Sequence, residues 1–425
     1  MEKNDTIEIM SPVGSYESLH AAIEAGAGSV YFGVGKLNMR ARSAANFGLD
    51  DLRKITEICR EKGVKTYLTV NTVVYSEELQ EIHEIISTAK TEGISAVIAS
   101  DISVIQYCRT LGMEVHLSTQ CNITNIDAVK FYANFADVIV TARELEMKQV
   151  AAICQAIRDE NICGPGGKQI KIELFVHGAL CMAVSGKCYM SLDTYNTSAN
   201  RGACYQNCRR SYILTDKESG NEIEVDNEYL MSPKDLKTIH FIDQILAAGV
   251  SVLKIEGRGR APEYVKTVTR CYHEAVAAVQ DGTFGPEKVE DWDRQLASVY
   301  NRGFWDGYYL GQRIGEWTVV PGSQATKRKV YIGKILNYFS KISVAEMLVE
   351  THSIHPGDEV LILGPTTGAY EGIVGEIRLD TPAAVAAAEK GDTCAFAVSD
   401  VVRRGDKVYR IVAVDHPLFS GGDKI

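Results

Sequence analysis

The sequence lacks any long apolar run. A membrane-spanning helix needs about 18 or more consecutive apolar residues, and no such stretch occurs among the 425 residues. The first residues, MEKNDTIEIMSPVGS, also lack the basic region and apolar stretch of a secretory signal. We therefore expect a cytoplasmic protein without membrane contacts.

Positive charge is scarce as well. Lys and Arg number 45 against 55 Asp and Glu, which gives a formal net charge of −10. Non-specific binding of nucleic acid draws most of its affinity from basic surfaces, so this composition argues against it. An RNA partner would have to meet a locally basic surface on an acidic chain.

Several familiar catalytic motifs are missing. The chain contains no G-x-x-x-x-G-K-S/T phosphate loop, no G-x-S-x-G serine motif and no H-E-x-x-H zinc motif. These absences argue against phosphate-loop chemistry and against two standard hydrolase designs. The 11 cysteines are not expected to form disulfides, because cytosolic thiols stay reduced.

Short apolar runs alternating with helical patterns fill the chain up to about residue 280. Val, Ile, Leu, Tyr and Phe dominate eight runs without strict polar alternation, which is typical of strands buried on both faces. These runs are 7–12, 29–34, 65–71, 96–101, 114–120, 137–144, 171–178 and 252–258. Amphipathic segments between them end at Gly26, Gly63 and Gly93. The pattern predicts an α/β fold, a (β/α)8 TIM-like barrel, with a doubly wound sheet as the alternative.

Further features divide the chain into domains. A Cys-rich insertion at 179–250 follows strand seven and delays strand eight, and loops of that length are usually functional. We expect a catalytic barrel at 1–282, including this insertion, and a helical and aromatic linker at 283–325. Short apolar runs separated by turns such as HPGD and RRGD predict a small C-terminal all-β barrel domain at 326–425.

Four cysteines of the insertion carry the strongest chemical signal. Cys181, Cys188, Cys204 and Cys208 follow the spacing C-x6-C, fifteen residues, then C-x3-C. Thiolates suit zinc ions or iron–sulfur clusters, although the first pair is too wide for a usual zinc knuckle. From the spacing alone a cluster, a zinc ion and unligated cysteines all remain open. Cys181 directly follows strand seven, which places it at the barrel mouth where active sites of this fold lie.

Polar residues at the strand ends should face the same mouth. Such groups need partners in apolar surroundings, so they either pair with one another or line a polar site. His177 is a candidate proton carrier, or alternatively a hydrogen-bonding residue. Gln120 and Glu256 are further candidate catalytic residues. The candidate substrate-binding residues at strand ends are Asn71, Arg143, Lys254 and Arg258.

Two arginines after strand two form a candidate clamp. Arg40 and Arg42, in KLNMRARSAANFG, can bind a dicarboxylate because guanidinium groups pair with carboxylates through two hydrogen bonds. An ordinary exposed loop is the alternative. The GRGR loop at 257–260 precedes a helix starting at Pro262, and its N–H groups form a weaker candidate phosphate site.

Three segments resemble a known family. HGALCMAVSGKC, NRGACYQNCR and SPVGSYESLHAAIEAGAGSVYFGV look like the collagenase-like peptidase family U32, and the matching positions run through most of residues 7–320. The C-terminal β domain and the overall length are most similar to its tRNA hydroxylation protein P group. The resemblance implies a 4Fe–4S cluster on the four cysteines. It also implies hydroxylation of the wobble uridine of tRNA to 5-hydroxyuridine, without molecular oxygen and with prephenate as the hydroxyl source.

The resemblance leaves other functions open. Some relatives hydroxylate a cytidine of large-subunit rRNA, and others are named proteases. A peptidase would need an activated nucleophile, for which Cys121 paired with His177 is the best candidate. A non-catalytic binding protein stabilised by zinc is the third reading. The expected partners of an RNA hydroxylase are tRNA, a small-molecule hydroxyl donor and an electron-transfer protein.

Overall fold

The N-terminal part of the chain is a closed barrel of eight parallel strands. The computed structural model describes residues 7–42, 46–184, 187–225, 232–312, 315–318, 322–381 and 383–416. The barrel strands are β1 (Glu8–Pro12), β2 (Ser29–Gly33), β3 (Lys65–Val70), β4 (Ala96–Ala99), β5 (Glu114–Leu117), β6 (Val138–Val140), β7 (Lys171–Ala179) and β11 (Val252–Ile255). Strand β11 pairs in parallel with both β1 and β7, which closes the barrel. The predicted TIM-like barrel is therefore confirmed over the doubly wound alternative.

Most helices connect successive barrel strands. They are α1 (Tyr16–Glu24), α2 (Asp51–Glu61), α3 (Leu79–Thr91), α4 (Ile102–Thr110), α5 (Ile126–Tyr132), α6 (Met147–Asp159), α7 (Met190–Tyr195), α8 (Ile242–Ala247), α9 (Pro262–Gln280) and α10 (Pro286–Ser298). Ser15 and Asp101 cap α1 and α4 by accepting backbone N–H bonds. Gly26, Gly63 and Gly93 follow α1, α2 and α3 with positive φ angles, as helix-ending glycines do. Among the helices described, none is both long enough and apolar enough to cross a bilayer.

The barrel interior contains buried charges as well as apolar side chains. Lys254 of β11 and Glu173 of β7 form an ion pair of 2.6 Å, and both side chains are almost completely buried. Nδ1 of His116 lies 3.7 Å from the second carboxylate oxygen of Glu173. The hydroxyl of Tyr67 donates a 2.6 Å hydrogen bond to Glu8. Each of these charges is thus compensated by a neighbour, which is the usual condition for keeping such groups away from water.

The segment between β7 and β11 contains the predicted insertion. It holds α7, a hairpin of β8 (Tyr212–Thr215) and β9 (Glu222–Val225), then β10 (Asp235–Lys237) and α8. Strand β10 pairs antiparallel with the end of β7 and parallel with β12 (Phe304–Trp305). The aromatic segment expected to be a linker therefore contributes a strand to the barrel sheet.

An antiparallel all-β region follows, as predicted. Its strands are β13 (Lys327–Phe339), β14 (Val344–Val349), β15 (Ser353–Ile354), β16 (Glu359–Gly364), β17 (Gly368–Ile373), β18 (Ile377–Arg378), β19 (Ala384–Val385), β20 (Ala388–Glu389), β21 (Thr393–Ala397) and β22 (Lys407–Ala413). Eight of them form one sheet in the order β17, β16, β22, β13, β14, β21, β18, β19, and β15 pairs with β20. The short strands and frequent turns match the turn signals of the sequence.

The β region packs against helices α1 and α9 of the barrel. Leu361 and Ala369 bury apolar surface against Ala21 of α1. Lys329 of β13 forms an ion pair of 2.7 Å with Glu263 of α9. These contacts bring the start of the β region close to the carboxyl end of the barrel.

Candidate functional site

A large cavity lies at the carboxyl ends of the barrel strands. Its volume is about 1020 Å³, similar to the upper end of the range of about 300–1,000 Å³ for small-molecule sites. Residues that follow β2, β3, β5, β7 and β11 form its wall, together with the Cys-rich insertion. This is the end of the barrel at which enzymes of this fold place their active sites.

All four cysteines of the insertion line this cavity. Cys181, Cys188, Cys204 and Cys208 are free thiols. Burial raises the pKa of Cys208 to about 11; Arg209 opposes the rise, and the other three thiols add to it. The sulfur of Cys208 therefore lies within electrostatic range of the other three thiols. Within the described residues, no three His, Cys, Asp or Glu side chains lie close enough together to hold a single metal ion.

Arg209 fixes both ends of the cysteine segment. Its Nη1 donates hydrogen bonds of 3.0 Å to Ser232 Oγ and to the carbonyl of Pro233, and its Nη2 donates one of 3.0 Å to the carbonyl of Leu180. Leu180 immediately precedes the first cysteine, and Arg209 immediately follows the last. One side chain therefore holds the ends of a long segment against the barrel mouth.

Gly202 allows the insertion to approach the loop after β2. Its φ is +78°, and an added Cβ would lie 2.2 Å from the carbonyl oxygen of Asn38. We expect Gly202→Ala to lower the free energy of unfolding by about 1–3 kcal/mol, because backbone strain and a backbone clash act together. Urea unfolding would measure this loss. Gly282→Ala is the matched control: its φ is +70° but the space around it is open, so an equal loss would contradict the role of the close approach.

Gln120 and Asn71 lie together in the cavity wall. Asn71 Nδ2 donates to Ser118 Oγ at 3.1 Å and to Gln120 Oε1 at 3.4 Å. Asn71 Oδ1 accepts a 3.3 Å bond from the backbone N–H of Met39. Both amides are thus held at the cavity, where neutral donors and acceptors can contact a polar ligand.

Glu256 is held as an anion in the same wall. Arg40 Nη2 lies 2.6 Å from Glu256 Oε1, and the N–H of Ala179 donates a 3.2 Å bond to Oε2. Burial by itself would raise the pKa of Glu256, but Arg40 and Arg260 hold it down to about 2. A carboxylate with such a low pKa accepts a proton only weakly at neutral pH, and the catalytic role of Glu256 stays a prediction.

The other predicted binding residues fall into two groups. Arg143, Lys254 and Arg258 line the cavity. Arg42 is exposed and lies against the ring of Tyr205 in the insertion, with its Cζ 5.3 Å from the ring centroid. The structure therefore does not form the expected two-arginine clamp: one arginine is bound to a carboxylate and the other contacts an aromatic ring outside the cavity wall.

His177 lies beneath the cavity wall and not in it. Its side chain is 1% exposed, and its ring centroid is within 6.0 Å of those of Tyr264, Tyr272 and Phe304. Burial, followed by the charges of two nearby cations, lowers the pKa of His177 to about 3. The imidazole is neutral at physiological pH and packed among aromatic rings, so its catalytic role is left without geometric support.

Sequence reasoning missed several cations of the cavity. Among the described residues, the wall contains nine Lys and Arg side chains and two carboxylates. The cations not predicted from strand ends are Lys187, Arg209, Arg260, Arg302 and Lys329. Arg302 comes from the aromatic segment and Lys329 from the β region, so only the folded chain brings them here. Three of these cations carried a sequence signal: Arg260 lies in the GRGR loop, Arg209 directly follows the last cysteine, and Lys329 ends the basic run KRK. Glu173 and Asp235 behind the wall compensate three of these cations, and the described wall still carries an excess of positive charge within an acidic protein.

Known proteins give this site a family context. The family described as Peptidase family U32 matches residues 14–318. A protein named collagenase from Porphyromonas gingivalis is 58% identical over 410 residues, which is 96% of this chain and 99% of that protein. The tRNA hydroxylation protein P1 of Bacillus subtilis is 30% identical over 369 residues, covering 84% of this chain and 83% of its own length. A 23S rRNA 5-hydroxycytidine synthase of Escherichia coli is 34% identical over 274 residues, covering 64% of this chain and 40% of that protein. The chain belongs to peptidase family U32.

Proposed function

We propose that this chain is an iron–sulfur enzyme that hydroxylates the wobble uridine of tRNA to 5-hydroxyuridine, without O₂ and with prephenate as the hydroxyl source. Relatives named for tRNA and rRNA hydroxylation support an RNA-modifying enzyme. The observation that carries the proposal is that four thiols share one cavity with an excess of cationic side chains, in a chain of net charge −10. Such a cavity concentrates positive charge where an anionic substrate must enter.

The thiols suit a 4Fe–4S cluster. Such clusters are held by four cysteine thiolates, and these four sulfurs border a shared space. The backbone N–H of Met190 lies 3.4 Å from the sulfur of Cys188, a contact that stabilises thiolate charge. Arg209 adjoins Cys208 and offsets negative charge there. When bound, the cluster would supply electron transfer. A single zinc ion, the alternative occupant left open by the spacing, would need at least three of these side chains closer together than they lie among the described residues.

The remaining wall suits a nucleotide. The cationic side chains can bind phosphate groups, which dominate the affinity of proteins for RNA. Asn71 and Gln120 present amide groups that can hydrogen-bond the polar edge of an unstacked base, the usual target of sequence-specific RNA recognition. Lys329 brings the β region to the rim of the same cavity, which supports a contact between this region and the tRNA outside the reacting base.

Nucleoside analysis of cellular RNA tests the proposal. In a strain that lacks this protein, mass spectrometry of tRNA should show loss of 5-hydroxyuridine and its derivatives at the wobble position. A plasmid copy of the wild-type chain should restore them. Analysis of 23S rRNA from the same cells separates the rRNA alternative, for which 5-hydroxycytidine would disappear instead. An unchanged level of 5-hydroxyuridine at the wobble position in the deletion strain would refute the tRNA assignment.

A peptidase is the second candidate, because a relative that is 58% identical is named collagenase. Its expected nucleophile, Cys121, makes a long contact of 3.9 Å to the carbonyl of Ser100, and burial raises its pKa to about 11. The group is a thiol at neutral pH, whereas the thiolate is the nucleophile. We therefore expect no cleavage of gelatin by the purified protein. Cleavage that is lost in Cys121→Ala would establish the peptidase instead.

A further inference from the structure

Arg258 is a buried cation whose hydrogen-bond partners are neutral. The residue is 6% exposed, and its Nη1 donates to Asn38 Oδ1 at 3.0 Å and to Thr69 Oγ1 at 2.7 Å. In the part of the chain that the structure describes, no carboxylate forms an ion pair with it. Burial lowers the pKa of Arg258 to about 10, which reflects the cost of holding this charge away from water. A buried charge normally has a counter-charge.

The nearby acids are already bound to other cations. Glu256 is paired with Arg40 at 2.6 Å and also accepts the backbone N–H of Ala179. Glu173 is paired with Lys254 at 2.6 Å. Glu256 attracts Arg258 without contacting it, and neither carboxylate can form an ion pair with Arg258 without leaving its own partner uncompensated.

Two aromatic rings connect Arg258 with other cations along the cavity. The ring of Tyr31 lies 5.9 Å from Arg258 Cζ and 4.7 Å from Lys254 Nζ. The ring of Phe175 lies 5.4 Å from Lys254 Nζ and 5.6 Å from Arg143 Cζ. Arg143, like Arg258, has no ion pair among the described residues. We call the rings of Tyr31 and Phe175 the aromatic floor of the cavity. Because Glu173 neutralises Lys254, the uncompensated charge along this floor belongs to the two arginines.

We propose that Arg258, with Arg143 on the same aromatic floor, binds an oxyanion of a small ligand, either a carboxylate or a phosphate. Asn38 and Thr69 engage Nη1, which leaves Nε and Nη2 as neighbouring donors that match two oxygens of one oxyanion. Arg258 is almost completely buried, so water screens its attraction for an oxyanion only weakly. The assignment deepens the proposed function because it names an anionic group on the ligand. Only the identity of the substrate that carries this group rests on the proposed function.

Titration calorimetry on the full-length protein tests this site with three probes: malonate, inorganic phosphate and uridine monophosphate. Wild-type protein should bind at least one of them at a single site. Arg258→Gln should weaken that binding at least about tenfold, since a charged hydrogen-bonded pair is lost. Malonate preference assigns the site to a carboxylate, and preference for the two phosphates assigns it to a phosphate group. No binding of any probe to the wild type would overturn the proposal.

Matched variants keep the test decisive. Arg378→Gln removes an exposed arginine whose ion pair is with Glu376, and it should leave the affinity unchanged. Arg258→Lys keeps the charge but loses the paired donors, so it should bind more weakly than wild type even where Arg258→Gln does not fold. Wild-type affinity in Arg258→Lys and Arg143→Gln together would refute the site. These binding measurements contain no RNA. An unchanged level of 5-hydroxyuridine in the deletion strain would therefore refute the proposed function without contradicting the anion site.

Discussion

Cys208→Ala should remove the iron–sulfur cluster and abolish tRNA hydroxylation. Cys208 interacts electrostatically with the other three thiols of the cavity wall, so its loss leaves one corner of the predicted cluster without a ligand. Wild-type protein purified without oxygen should contain about four iron and four sulfide per chain and show a broad visible absorption band. The variant should lose most of both, and it should not restore 5-hydroxyuridine in the deletion strain.

Cys163→Ala is the control for this experiment. Cys163 is half-buried, and its sulfur contacts Asn161 on a loop between α6 and β7. Its removal should leave iron, sulfide and hydroxylation at wild-type levels. Full iron content in Cys208→Ala would contradict the assigned ligand set. A colourless wild-type protein with one zinc per chain would identify a structural zinc site and refute the redox reading.

The barrel and the position of the cysteines could be predicted from local sequence. Barrel strands are buried on both faces, so each appears as a short apolar run, and each helix between them is recognisable from its own spacing and its terminal glycine. Cys181 comes two residues after the end of β7. The topology alone then places it at the carboxyl end of the barrel, where the other strand ends meet.

The position of His177 could not be predicted, because a β-bulge changes its orientation. Phe175 pairs with Lys254, but the next pairing joins His177 with Ile255. Simple alternation along β7 would place His177 on the same face as Phe175, whose ring lies in the cavity. The extra residue instead gives it the orientation of Ile255, toward the aromatic side chains of α9. A bulge of one residue has no clear sequence signature.

Ion pairs between residues far apart in the chain could not be predicted from local sequence either. Arg40 and Glu256 are 216 positions apart, and their ion pair changes a candidate clamp and a candidate base into a compensated pair. Arg302 and Arg260 share the buried carboxylate of Asp235, which no local pattern marks. Residue types at strand ends therefore indicated which groups reach the cavity, while the folded chain determines which of them stay uncompensated.

Lys254→Met should lower the free energy of unfolding by about 3–5 kcal/mol, the usual cost of removing one partner of a buried ion pair. The substitution keeps most of the side-chain volume but leaves the fully buried carboxylate of Glu173 without its 2.6 Å partner. Urea unfolding at pH 7.5 would measure the loss. Lys254→Met combined with Glu173→Leu removes both charges and should recover most of the stability, because no unpaired carboxylate remains.

The same variant predicts a pH dependence with a definite sign. Burial by itself would raise the pKa of Glu173, but Lys254 and His116 hold it below its ordinary value in the wild type. Glu173 therefore stabilises the wild type at pH values above the unfolded-state pKa of about 4.3, and this contribution is lost as the pH falls through the folded-state pKa.

Without Lys254, burial dominates and the pKa of Glu173 rises. The ionised carboxylate then destabilises the variant increasingly as the pH rises from about 4.3. The difference in unfolding free energy should thus be larger at pH 7.5 than at pH 5, and a loss that is equal at both pH values would show that packing, and not the buried charge, determines the effect.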